Sequence, residues 1–203
     1  MEIMYLNEDN LILANKNFIS FMGEVNDLEI LSPNVNSIVL KPNKKVKYYI
    51  KSKEYFANLK LNDISKKKIN ELSSYEEMCT KLLSVISKKP KVIILYNVDA
   101  CICEKYKNKF LNFIRLINAS IQIKFIIISN NPVFLNNISK EVIIMKNQII
   151  KYQGTIINGI KSGFISKNEI ILFIDEANKE KDAGLDYYLE TKELLKAIYR
   201  SVF

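Results

Sequence analysis

Two uninterrupted apolar runs constrain the fold of this chain more than any other feature. They are Val92–Tyr96 and Phe125–Ile128, and both are rich in β-branched residues. Runs of this kind are typical of strands in a parallel sheet, because helices cover both faces of such a sheet. The segment between them, from Tyr106 to Ile117, carries apolar residues at helical spacing. The alternation predicts an α/β fold.

A helix start precedes the first run. Ser73 and Ser74 are each followed three positions later by a glutamate, Glu76 and Glu77, which makes two overlapping capping boxes. Apolar residues then recur at helical spacing, so we expect a helix that begins near Tyr75.

Prolines and polar turns mark further boundaries. Pro90 ends the first predicted helix, and Pro132 opens a short one at the turn where proline is tolerated. Val142–Met145 and Ile149–Tyr152 predict a strand and its hairpin return. We also predict an antiparallel group of N-terminal strands, one late strand and a tail helix: Ile3–Leu6, Leu11–Leu13, Phe18–Met22 and Leu28–Leu31 for the group, Ile170–Ile174 for the late strand, and Leu185–Tyr199 for the helix.

Composition excludes several chemistries. The 203 residues include no histidine, so histidine-based triads and HExxH zinc sites are excluded. The five glycines form neither GxGxxG nor GxxxxGK, so no intact phosphate-binding loop of either type is present. The three cysteines, Cys79, Cys101 and Cys103, are too few for a closed zinc site without histidine partners. We expect buried or incidental thiols and no metal.

The positive charge is concentrated in one stretch. The net charge is +8, and only two of the 30 basic residues, Arg115 and Arg200, are arginine. Residues 41–91 hold 14 lysines against five acids. Such a stretch is either a solvated face or a surface for anionic lipid or nucleic acid, although the lack of arginine disfavours nucleic acid.

The order of motifs resembles the catalytic core of an ATP-binding-cassette (ABC) ATPase. Glu71–Glu76 stands where that family has its signature sequence, Lys91–Asn97 where it has Walker B, and Ile126–Pro132 where it has the H-loop. Glu141–Ile150 is similar to the closing strands of the family, and Glu29–Val39 resembles its phosphate-loop region. The resemblance implies a P-loop NTPase-like fold with N-terminal antiparallel strands.

Each matched motif lacks the side chains that handle nucleotide in the family. Phosphate loops need glycines and a lysine, and the Walker B strand needs a carboxylate for magnesium. The replacements are Val35 and Ser37 for phosphate-loop glycines, Ile38 for the lysine, Tyr96 for the magnesium-binding aspartate, Asn97 for the carboxylate that orients water, and Asn130 for the H-loop histidine. The resemblance therefore implies a pseudo-ATPase with no cofactor and no stable ATP binding of its own.

Spacing predicts a reduced helical subdomain. Leu72 lies only 34 positions after Ile38, far fewer than the family places between phosphate loop and signature. We assign residues 1–154 to the ABC-like core and residues 155–203 to a strand-helix extension packed on it.

The predicted signature helix has two interpretations. In ABC dimers the signature of one subunit faces the nucleotide held by the other, so Ser73, Ser74 and Glu76 are candidates for a vestigial nucleotide contact. A plain helix cap is the alternative, and the bulky Tyr75 at a glycine position favours it.

A second carboxylate motif lies near the end of the chain. Ile170–Ile174 followed by Asp175 and Glu176 is itself similar to a Walker B strand. No phosphate loop accompanies it, so we interpret it as a strand running into an acidic turn, with metal binding as the alternative.

These observations lead to one main expectation and one alternative. The main expectation is a catalytically inactive ABC-type subunit or regulator in the cytoplasm, partnered by a second ABC ATPase subunit, a membrane permease or both. The alternative is a scaffold or binding protein that uses its basic surface to hold a protein, a membrane surface or, less favoured, nucleic acid.

Overall fold

A computed structural model of the chain describes most of its residues. The described parts are residues 1–7, 17–23, 35–50, 59, 61, 64–147, 149–181 and 183–202. The predicted runs Leu11–Leu13 and Leu28–Leu31 lie outside them.

The described strands form one seven-stranded sheet in the order β3-β1-β4-β5-β2-β6-β7. The strands are β1 (Glu2–Leu6), β2 (Phe18–Met22), β3 (Asn36–Ser37), β4 (Val92–Tyr96), β5 (Lys124–Ile128), β6 (Glu141–Lys146) and β7 (Ile149–Thr155). β4, β5, β2 and β6 run parallel, whereas β1 and β3 on one side and β7 on the other are antiparallel to their neighbours. The mixed α/β architecture predicted from the apolar runs is confirmed.

The two apolar runs occupy the centre of this sheet. β4 pairs with β5 in parallel from Val92 opposite Lys124 to Tyr96 opposite Ile128. Ile93 and Leu95 join a large apolar core on one face, while Val92 and Ile94 join a smaller core on the other. A strand buried on both faces needs no polar alternation, which explains the unbroken apolar sequence.

The antiparallel assignment of Phe18–Met22 is wrong. β2 runs parallel between β5 and β6, with Phe21 opposite Ile128 on one side and opposite Ile143 on the other. Of the predicted N-terminal group, Ile3–Leu6 does pair antiparallel, as part of β1 against β4.

Helices surround the sheet. They are α1 (Ser74–Ile86), α2 (Glu104–Ile121), α3 (Pro132–Asn136), α4 (Ile156–Lys161), α5 (Glu169–Lys181) and α6 (Thr191–Val202). α1 begins where the capping boxes predict, and Pro132 occupies the first turn of α3 as expected. The predicted tail helix is shorter than expected, because residues 183–190 are not helical.

Ile170–Ile174 is a helix, not the predicted strand. In α5 the buried residues are Ile171 and Ile174, whereas Leu172 and Phe173 are each 54% exposed. A spacing of three between buried residues fits a helix, while a strand would bury alternate residues. The Asp175–Glu176 pair therefore does not follow a strand.

Candidate functional site

Polar residues gather where three central strands end. Ligands of open parallel sheets bind beyond the carboxyl ends of the strands, so this edge is the first place to examine. The Asn97 amide donates to the Ile128 carbonyl at 2.9 Å, and the Ser129 amide donates to the Phe21 carbonyl at 3.1 Å. These bonds hold the ends of β4, β5 and β2 side by side.

An open pocket of about 580 Å³ lies at this edge. Its polar lining residues are Asn97, Asp99, Asn130, Asn131 and Asn168. Asn97 and Asn130 were predicted from the sequence, and the structure brings them together here. Asn168 was missed because it enters from the loop before α5, 71 positions after Asn97.

The backbone of this edge is fixed by its own side chains. Asn97 adopts a left-handed conformation with φ of 50°, which asparagine tolerates better than most residues. The Ser129 hydroxyl accepts a bond from the Asn131 amide at 3.0 Å, and the Asn131 side chain caps α3 by accepting from the Phe134 amide at 3.1 Å. Asn130 itself is exposed.

Asp99 is the one acidic residue lining the pocket. One of its carboxylate oxygens is buried and, in the described part of the chain, has no hydrogen-bond partner. Tyr96, at the position that resembles the Walker B aspartate, packs against the smaller apolar core. Within the described residues no group of three histidine, cysteine, aspartate or glutamate side chains could hold a metal.

The start of α1 is a closed capping box. The Ser73 hydroxyl accepts a bond from the Glu76 amide at 3.3 Å, and the Glu76 carboxylate accepts from the Ser73 amide at 2.9 Å. Lys67 pairs with the same carboxylate at 2.8 Å. Partial burial raises the pKa of Glu76, but the hydrogen bonds from Lys67 and Ser73 outweigh it and hold the pKa below its usual range. Ser74 is exposed.

Tyr75 points into the protein. Its ring stacks on Tyr106 with centroids 4.5 Å apart, and its hydroxyl donates to the Leu59 carbonyl at 3.0 Å. Burial raises the pKa of Tyr75, with a further contribution from Cys79. From the sequence, the bulky Tyr75 was expected to obstruct the start of α1. In the structure its side chain does not cover that helix start.

The segment assigned to the phosphate loop lies elsewhere in the sheet. Asn36 and Ser37 form the edge strand β3, antiparallel to β1, and the half-buried Ile38 follows them. β3 is separated from β2 by β1, β4 and β5. A phosphate loop joins the end of a central parallel strand to a helix. The placement of Val35, Ser37 and Ile38 at that loop is therefore wrong.

Asp175 and Glu176 lie on a helix and do not form a strand-end site. Asp175 pairs with Lys167 at 2.7 Å and accepts a hydrogen bond from the Tyr187 hydroxyl. These bonds lower the pKa of Asp175, Lys167 first and Tyr187 second. Glu176 is exposed. The contacts describe a surface ion pair.

Several solved structures share this architecture. An ATP-binding subunit of an ABC transporter matches with a TM-score of 0.59 and 8% identity, covering 86% of this chain and 99% of that one. A dimeric bacterial ABC transporter cassette matches at 0.56 and 10%, covering 76% and 98%. A metal-chelate type ABC transporter in an inward-facing conformation matches at 0.52 and 15%, covering 77% and 84%.

The chain has the fold of an ABC transporter ATP-binding cassette. No protein-family model and no curated protein matches its sequence. No helix in the described part of the chain is long and apolar enough to cross a membrane.

Proposed function

We propose that this protein is a catalytically inactive ABC-type subunit or regulator. The observation that carries the proposal is the chemistry at the ends of β4 and β5. Tyr96, Asn97 and Asn130 stand where hydrolysis requires two carboxylates and a histidine. Removing one electrostatic element of an active site typically lowers the rate by about a hundredfold to a thousandfold, so three replacements leave no useful hydrolysis.

The residues that a phosphate loop needs are also missing when the loop is placed according to the observed strand order. β2 is the parallel strand beside β5 on the side away from β4, and it ends at Met22. A phosphate loop after this strand would therefore begin at Gly23. The following residues, 24–39, contain neither a further glycine nor a lysine. A loop without them cannot close its backbone amides around phosphates or place a charge on them.

The partner is an intact ABC ATPase subunit, a membrane permease or both, which would hold this chain at the cytoplasmic side of the membrane. The solved structures with this fold include transporter subunits and a cassette dimer, and these support a partner of that class. In such a dimer α1 would contribute little to a nucleotide site. The Ser73 hydroxyl already donates a hydrogen bond to the Glu76 carboxylate, and this carboxylate places negative charge at the helix start.

A hydrolysis assay and an affinity purification test this function. The purified chain should release no phosphate from ATP with magnesium above the rate of a buffer blank, and the tagged chain should recover an ABC ATPase or a permease from its own cells. Magnesium-dependent turnover would overturn the inactivity, and recovery of neither partner class would overturn the subunit role.

The basic segment gives a second candidate function, a binding protein that acts through its lysines. The residues that favour it are Lys44, Lys45, Lys47, Lys66 and Lys68, all exposed. Binding that weakens steeply with added salt, without recovery of an ABC partner, would separate this function from the first.

A further inference from the structure

Two lysine-rich segments lie against each other beside the sheet. The Val46 amide donates to the Lys67 carbonyl at 3.0 Å, and the Ile69 amide donates to the Lys44 carbonyl at 3.0 Å. Lys45 and Lys68 form an antiparallel bridge between the segments. Residues directly opposite in such a bridge project to the same side, so the fold starts two lysine side chains, Lys45 and Lys68, from neighbouring positions on one side.

Buried side chains fix the base of this arrangement. Val46 and Ile64 are fully buried and Ile69 is 6% exposed, and all three belong to the large core. The lysines between them therefore project from an anchored backbone, and we name Lys44, Lys45, Lys47, Lys66, Lys68 and Tyr48 the lysine surface.

The lysine surface carries an excess of positive charge, with one carboxylate beside it, because Glu71 accepts a hydrogen bond from the Lys68 amide at 2.9 Å. No ion pair within the described chain involves its five lysines, and the nearby Lys67 is the one that pairs with Glu76. Like charges directly opposite each other in a sheet-like bridge are destabilising, and an anion between them relieves the repulsion. The arrangement therefore favours an anionic partner.

Tyr48 lies among these charges with 68% of its surface exposed. The ammonium groups of Lys44 and Lys47 lie over its ring, 5.8 and 5.4 Å from the centroid. Tyrosine beside lysine is typical of protein surfaces at the headgroup level of a membrane. Arginine is the residue typical of nucleic-acid recognition, and neither arginine of the chain lies in this segment.

We propose that the lysine surface binds bilayers that contain anionic phospholipid, with Tyr48 at the headgroup level. The lysines attract the lipid phosphates and carboxylates, and each contributes on the order of a fivefold increase in partitioning. Such binding does not require nucleotide or a cassette partner, so it can hold or fail independently of the ABC-type function.

Vesicle sedimentation tests this binding. The chain should sediment with vesicles of phosphatidylcholine and phosphatidylserine but not with phosphatidylcholine alone. The triple variant Lys44→Gln, Lys45→Gln, Lys68→Gln should lose on the order of a hundredfold in partitioning.

A matched control variant distinguishes vesicle binding through the lysine surface from binding that depends only on the net charge of the chain. Lys179, Lys192 and Lys196 are exposed lysines on α5 and α6, and changing all three to glutamine removes the same charge. The control should keep most of the binding. An equal loss in both triple variants, or no sedimentation of the unchanged chain, would overturn the proposal.

Fluorescence locates the contact. The chain has no tryptophan, so Tyr48→Trp introduces a single tryptophan fluorophore. Its emission should shift to the blue with phosphatidylserine vesicles, and Tyr48→Leu should keep most of the sedimentation because headgroup contact needs no aromatic stack. Preferential binding to single-stranded RNA that Tyr48→Leu abolishes would identify a nucleic-acid surface instead and overturn the lipid proposal.

Discussion

Ser73 and Glu76 satisfy each other's polar groups at the start of α1. Each backbone amide of the pair bonds to the other side chain, and the Ser73 hydroxyl also donates to the Glu76 carboxylate at 3.1 Å. Four amide groups at a helix start lack partners within the helix, and the capping box supplies two. At the residue scale, this serine therefore stabilises its own helix.

The first prediction compares two neighbouring serines. Ser73→Ala should lower the free energy of unfolding by about 1 kcal/mol, because it leaves a helix-start amide without its acceptor. Ser74→Ala, one position later and outside the box, should change it by less than about 0.5 kcal/mol. Urea denaturation followed by circular dichroism measures both. Equal effects would contradict the cap.

The second prediction concerns pH. The pKa of Glu76 is held below its ordinary value of 4.5, so its ionised form stabilises the fold above that pH and the contribution is lost as pH falls through the folded-state pKa. Glu76→Gln keeps the capping geometry and removes the charge. It should cost up to about 1 kcal/mol at pH 7, given partial exposure, and almost nothing at strongly acidic pH. A constant difference across pH would contradict the ion pair with Lys67.

At the element scale, sequence predicts an element well when its pattern has one structural interpretation. α1 has a capping box, β4 has an unbroken apolar run, and the β6–β7 hairpin has a polar turn, and all three are confirmed. Ile170–Ile174 has no such single interpretation, because a short apolar run fits a strand or a helix equally. A strand's own residues also do not reveal its neighbours, which is why β2 was assigned to an antiparallel group.

The candidate site could be predicted only in part, for the same reason. Asn97 and Asn130 follow recognisable strands, so they could be identified. Asn168 reaches the pocket through a loop whose path depends on α5. The phosphate-loop position was misplaced because the resemblance of Glu29–Val39 to that region favoured an alignment that only the strand order could correct.

The third prediction tests the helical state of α5. Ile174→Ala should destabilise the protein by about 2–4 kcal/mol, since it empties a fully buried position. Phe173→Ala removes a larger side chain that is 54% exposed and should cost less than about 1 kcal/mol. Chemical denaturation gives both values. The reverse order would indicate the strand face that the sequence first suggested.

At the scale of the whole molecule, the protein keeps the cassette architecture around a pocket lined mainly by amides. The fold of the chain matches solved ABC cassettes at low sequence identity. The strand ends present asparagines and one aspartate to this pocket. This lining supports the proposal of an inactive, protein-binding subunit.

Isothermal titration calorimetry of the isolated chain with ATP and magnesium tests the proposed lack of nucleotide binding. We expect no saturable heat at any ATP concentration in the micromolar range, because the proposed function rests on the replacement of the residues that would bind the phosphates and the metal. Circular dichroism of the same sample establishes that the chain is folded. Saturable binding with a micromolar dissociation constant would contradict the account.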